Sequence, residues 1–199
     1  TAQISNSSNA AVSITGPSAT ANITDNVGVN AIISVTTQGV EGGTNIVYTV
    51  TLSAVNSTGA AITFDIDDLL TGTAISGSDY TAVPGAAQIS VANGASTGTF
   101  TVAVTNDALL EATETVAAQI SNSSNAAVSI TGSTATANIT DNDTANAVLS
   151  VTTQGVEGGT NVVYTVTLSA VNNTGSAITF DIDDLLTGTA ISGSDYTAV

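Results

Sequence analysis

The stretch AQISNSSNAAVSITG runs from Ala2 to Gly16 and returns letter for letter from Ala118 to Gly132. The same offset of 116 residues recurs elsewhere: VEGGTN begins at Val40 and at Val156, and ISGSDYTAV at Ile75 and at Ile191. Residues 1–83 and 117–199 differ at only 11 of 83 positions. Identity this high implies recent tandem duplication, with a period the size of a folded domain. The chain therefore reads as one complete unit, 29–144, between two incomplete ones. Residues 1–28 supply the last strands, F and G, of a preceding unit, and 145–199 supply strands A to C of a following unit. There is no initiator Met and no leader-like segment, so the 199 residues are expected to be a window on a longer protein.

Within the complete unit the texture is short alternating runs of Val, Ile, Thr and Ala, punctuated by Gly, Asn, Asp and Ser, which is a β pattern throughout. Seven strands are expected: A at 31–37, B at 44–54, C at 61–67, D at 86–91, E at 97–105, F at 113–121 and G at 134–140. In strand B one face carries Ile46, Tyr48, Val50 and Leu52. The inward sets are Phe100, Val102 and Val104 in E, and Val116, Ala118 and Ile120 in F. The stretch DALLEATET before strand F has a helix-like pattern but is too brief to count. Seven half-buried strands in 116 residues predict an all-β fold of tandem seven-stranded antiparallel immunoglobulin-like sandwiches.

Composition removes whole classes of function. The chain has no Lys, Arg, His, Cys, Met or Trp, and its 16 acids give a formal charge of −16. Catalytic triads, thiolate nucleophiles, Schiff-base lysines and His/Cys zinc sites are all excluded. No cationic surface exists to bind nucleic acid or an anionic bilayer, and no apolar run approaches the roughly 18 residues of a spanning helix. The chain is expected not to be an enzyme. Hydrophobic residues make up 42% of it, enough for a packed core.

The acids cluster at strand ends: Glu41 before B, Asp79 after C, Asp107 and Glu111 between E and F, Asp141 and Asp143 after G. In a seven-strand sandwich these connections can share one pole. Like charges repel by about 4 kcal/mol per pair at 4 Å and an effective dielectric near 20. With no base to neutralise them, the six call for a cation, and an all-oxygen, flexible donor set suits Ca²⁺ better than Mg²⁺. Against this stands the ordinary preference of Asp for turns, which accounts for any one of these acids singly. The matching positions in the flanking copies are Asp25, Glu157 and Asp195. Asp65, Asp67 and Asp68 read differently, as a charged solvent face that discourages edge pairing. Tyr48 and Tyr80 are expected in the core and at a corner. Sequons at Asn22, Asn56, Asn122, Asn138 and Asn172 are read as chance in a chain so rich in Asn, Ser and Thr.

Four motifs in order, EGG (Glu41–Gly43), TGTAISGSDYTAV (Thr71–Val83), NDALLEATET (Asn106–Thr115) and ATANITDND (Ala135–Asp143), resemble the Calx-beta domain. That family is found in sodium–calcium exchangers and in giant bacterial surface adhesins. The resemblance spans the whole unit and implies a seven-stranded sandwich. It also implies calcium ligands at Glu41, Asp79, Asp107, Glu111, Asp141 and Asp143. Two departures stand out: Asn142 interrupts the acidic run after G, and the preceding copy reads Asp25-Asn26-Val27 and lacks the last acid.

The expected function is a structural spacer, a calcium-stiffened repeat of a long extracellular adhesin or cell-surface fibre, whose partners are neighbouring repeats of the same chain. One alternative is a self-assembling fibre or sheath in which copies exchange strands. Another is a carbohydrate-binding or hydrolytic module built on paired carboxylates, disfavoured by the absence of Trp for stacking on sugars.

Overall fold

The computed structural model describes residues 1–23 and 28–197. Ten strands run through the complete unit in chain order after a short hairpin. The hairpin pairs β1 (Ala2–Gln3) with β2 (Ser18–Ala19). There follow β3 (Val29–Thr37), β4 (Gly39–Val40), β5 (Ile46–Leu52), β6 (Ile62–Asp68) and β7 (Gln88–Val91). Then come β8 (Thr97–Val102), β9 (Leu109–Glu111), β10 (Glu114–Ser121), β11 (Val128–Gly132) and β12 (Thr134–Thr140). The following unit contributes β13 (Ala147–Thr153), β14 (Val163–Leu168) and β15 (Val171–Asn173). The described residues contain no helix.

Two sheets form the sandwich, a five-stranded one ordered β4-β12-β10-β6-β7 and a four-stranded one ordered β11-β3-β5-β8. The expected strands A to G are β3, β5, β6, β7, β8, β10 and β12, and the pairings among them are antiparallel. Strand alternation decides the core, because successive side chains point to opposite faces. Ile46, Tyr48, Val50 and Leu52 of β5 are buried, as are Phe64 and Ile66 of β6, Ile89 and Val91 of β7, and Val116, Ala118 and Ile120 of β10. Val102 is buried too, whereas Phe100 and Val104 pack on the core only in part. Each fully buried aliphatic side chain contributes about 1.5–3 kcal/mol, so β-branched residues carry most of this core. Tyr48 ties the two layers together, its hydroxyl donating to the Val116 carbonyl at 2.8 Å.

Three short elements lie outside the seven expected strands. β4 and β11 extend the two sheets by parallel pairing, β4 beside β12 and β11 beside β3. β9 occupies part of the stretch whose pattern is helix-like. A second difference concerns Asp65, Asp67 and Asp68. Their strand, β6, lies inside its sheet between β10 and β7, so these acids guard no edge. Asp65 accepts from the side-chain amides of Gln88 and Asn122, and Asp68 accepts the Tyr80 hydroxyl at 2.5 Å. Of the three, only Asp67 is a freely exposed charge.

The flanking copies keep local features of the complete unit. Ala2 faces Ala19 and Gln3 faces Ser18 across β1 and β2, the same register as Ala118 with Ala135 and Gln119 with Thr134. β13 and β14 reproduce the β3–β5 pairing, including its register shift near the end.

Candidate metal centre

Glu41 reaches the pole of the sandwich through a parallel pairing. β4 runs beside the end of β12, with Gly39 opposite Ile139 and Val40 opposite Thr140. Parallel strands deliver their next residues to the same end, so Glu41 and Asp141 emerge side by side, and the Glu41 amide donates to the Thr140 carbonyl at 3.0 Å. The turn after Glu41 needs Gly42, whose φ is +60°. A Cβ at Gly42 would sit 2.5 Å from both Asn106 Oδ1 and Asn142 Nδ2. Those two side chains are hydrogen-bonded to each other at 3.0 Å and link the β8–β10 connection to the segment after β12.

Asp141 is clamped from two directions. One oxygen accepts the Glu111 amide at 2.8 Å and the other the Asp143 amide at 2.7 Å. Asp79 closes its own tight turn, accepting the Ile75 amide at 2.5 Å, while its carbonyl takes the Thr105 amide. Glu114 is the first residue of β10 and so stands at the same pole.

The carboxylates gather into two trios. In one, Glu41, Asp141 and Asp143 bring ligand oxygens within 4.8 Å of one another, and in the other Asp79, Glu111 and Glu114 do so. Five of the six expected ligands are therefore in a trio. Asp107 is in neither. It is exposed, and one of its oxygens accepts the Leu109 amide. Glu114 is the member that sequence reasoning missed, because it falls inside the predicted strand F. The EATE spacing, which puts two acids three apart at a strand entry, was the available signal. In the following copy, Asp195 repeats the Asp79 turn, accepting the Ile191 amide at 2.8 Å. Neither Asp195 nor Glu157 joins a trio among the described residues. Asp25 lies outside the described residues.

The electrostatics of the pole favour a cation. Glu41 is only 4% exposed, and burial pushes its carboxyl above the usual range. The Asp107 amide opposes that shift, and the charges of Asp107, Glu111 and Asp141 add to it. Glu114 is pushed up to about 7, first by burial, then by a hydrogen bond to Asp79 and the charges of Asp79, Glu111 and Glu41. Three buried side-chain oxygens, Glu41 Oε2, Glu114 Oε2 and Asp143 Oδ2, have no hydrogen-bond partner. All three belong to the trios. A buried unpaired carboxylate oxygen is costly, and the chain has no base to satisfy it. Hard, all-oxygen donors of this kind fit Ca²⁺, with Glu41, Asp141 and Asp143 able to hold one ion and Asp79, Glu111 and Glu114 another.

The family profile described as the Calx-beta domain matches residues 24–143. Among solved structures, the apo form of the Calx CBD1 domain is similar at 21% identity and a TM-score of 0.47, the match covering 59% of this chain and 100% of that one. The calcium binding domain CBD12 of CALX1.1 is similar at 22% identity and a TM-score of 0.45, covering 56% of this chain and 44% of that one. CBD12 from CALX1.2 matches at 18% identity and a TM-score of 0.46, covering 57% and 45%. No curated protein matches the chain.

Proposed function

The chain belongs to the Calx-beta domain family, and from that premise we propose that each repeat binds Ca²⁺ at the acidic pole and serves as a non-catalytic spacer in a long extracellular protein. One observation carries the calcium reading: among the described residues, the three unpartnered buried oxygens all fall in the two carboxylate trios of a chain without a single base. The ion would supply the positive charge that the protein lacks. The residues do the rest. Asp141 is held in place by two backbone amides, Gly42 lets Glu41 approach the end of β12, and the β10 entry presents Glu114.

The spacer role rests on near-identity between copies, since length requires many equal units whereas recognition requires one. Extracellular calcium modules bind at about 10⁻⁴–10⁻³ M, matched to millimolar calcium outside cells. The setting we favour is a bacterial surface adhesin or fibre. The test is the melting temperature of the chain in calcium and in chelator. Binding to the folded state alone adds about 2.7 kcal/mol at one hundred times Kd. At about 4–8 °C per kcal/mol for a domain near 100 residues, the shift is large. Equal melting in calcium and in chelator overturns the calcium reading.

A further inference from the structure

β9 and β15 join two different repeats. They pair in parallel, with Val171 opposite Leu109, Asn172 opposite Leu110 and Asn173 opposite Glu111. Asn173 Nδ2 donates to Glu111 Oε1 at 2.5 Å, a charge-assisted bond. The same turn occurs 116 residues earlier as Val55–Ser57, and there it is not a strand. The two turns differ at one of these three positions, Ser57 against Asn173.

The turn is also built in advance. Asn56 Oδ1 accepts from the Thr58 amide and hydroxyl while its Nδ2 donates to the Ala60 carbonyl. Asn172 makes the same bonds with Thr174 and Ser176. Presenting the edge thus requires no rearrangement. A chain without bases cannot fasten one repeat to the next by side-chain ion pairs, but backbone pairing and amide-to-carboxylate bonds are open to it. Position 173 is one of the few that differ between copies, Asn here against Ser57, and Asn is the longer amide donor.

We propose that Leu109–Glu111 is a docking edge for the turn at 171–173 of the next copy of this repeat, and that the residue at 57 or 173 sets how firmly each junction is latched. The proposal rests on the tandem repeat and not on ion binding.

Hydrogen exchange compares the unsubstituted chain with a Leu110→Pro variant, in which β9 loses a ladder amide. Amides of 171–173 should exchange about tenfold or more slowly in the unsubstituted chain. Equal exchange in the two overturns the proposal. Because the chain has no Cys, Leu109→Cys with Val171→Cys creates a single thiol pair. Its closure, read by intact mass after alkylation, should outpace that of Leu109→Cys with Val163→Cys about tenfold. Adding Asn173→Asp should slow the matched pair by setting a carboxylate against Glu111, and Asn173→Ser should slow it less. Equal rates for matched and mismatched pairs overturn the ladder. Preferential closure of the matched pair in chelator supports it even if the chain binds no calcium.

Discussion

Glu114 opens β10 with one carboxylate oxygen buried and unpartnered, and its acidity is displaced up to about 7. Its ordinary value is 4.5, so between about 4.5 and about 7 the folded chain holds more protons than the unfolded one. Without calcium, stability should therefore fall as pH rises through that window, and Glu41, shifted the same way, adds to the slope. Thermal melts in chelator from pH 4.5 to 7.5 check this. Glu114→Gln should flatten the slope and raise the melting point in chelator, while removing most of the calcium response. Glu111→Gln should also lose most of that response, whereas Asp67→Asn, out in solvent, should keep it. If all three retain it, the trios bind no ion. Tyr80 gives a control of another kind: burial and the nearby Asp68 carboxylate hold its hydroxyl protonated, up to about 12. Tyr80→Phe should lower stability by about 1–3 kcal/mol and leave the calcium response intact.

At the scale of elements, the long strands were legible because alternation over six or more residues leaves one consistent apolar face, as in β5 and β10. β4, β9 and β11 were not: β4 and β9 are only two and three residues long, and all three exist through parallel pairing with segments distant in sequence. The consequence for the site is direct. β4 is the element that brings Glu41 to Asp141, so Gly42→Ala, strained at φ +60° and pressed on Asn106 and Asn142, should weaken calcium binding more than it weakens the sandwich. Isothermal titration beside thermal melting separates the two effects. Asn56 is a second case. It is 3% exposed, and its amide also donates to the Val91 carbonyl at 3.0 Å, so its sequon is structural in the folded unit. Asn56→Ala strands those carbonyls and should cost about 2 kcal/mol, measurable as a lower denaturation midpoint.

Across the whole molecule, the acidic pole and the junction are one region, because Asp141 accepts the Glu111 amide and Glu111 accepts Asn173. Replacing Asp141 and Asp143 together by Asn should leave the sandwich folded, shrink the calcium-induced melting shift and loosen the junction. Small-angle scattering reports the last as a broadened distance distribution, and an unchanged distribution refutes the link. The sequence by itself determined the repeat length, the β class, the inward faces and the absence of any base, since periodicity, alternation and composition are properties of the chain alone. From strand ends it also placed five of the six trio acids near one another. Tertiary structure decided that they divide into two trios, that Glu114 joins one of them while Asp107 joins neither, and that Asp68 serves Tyr80 and not solvent. It also decided that Asn173 meets Glu111. Each of these depends on which side chains meet across sheets or repeats, and that is set by long-range pairing and burial, which no local pattern encodes.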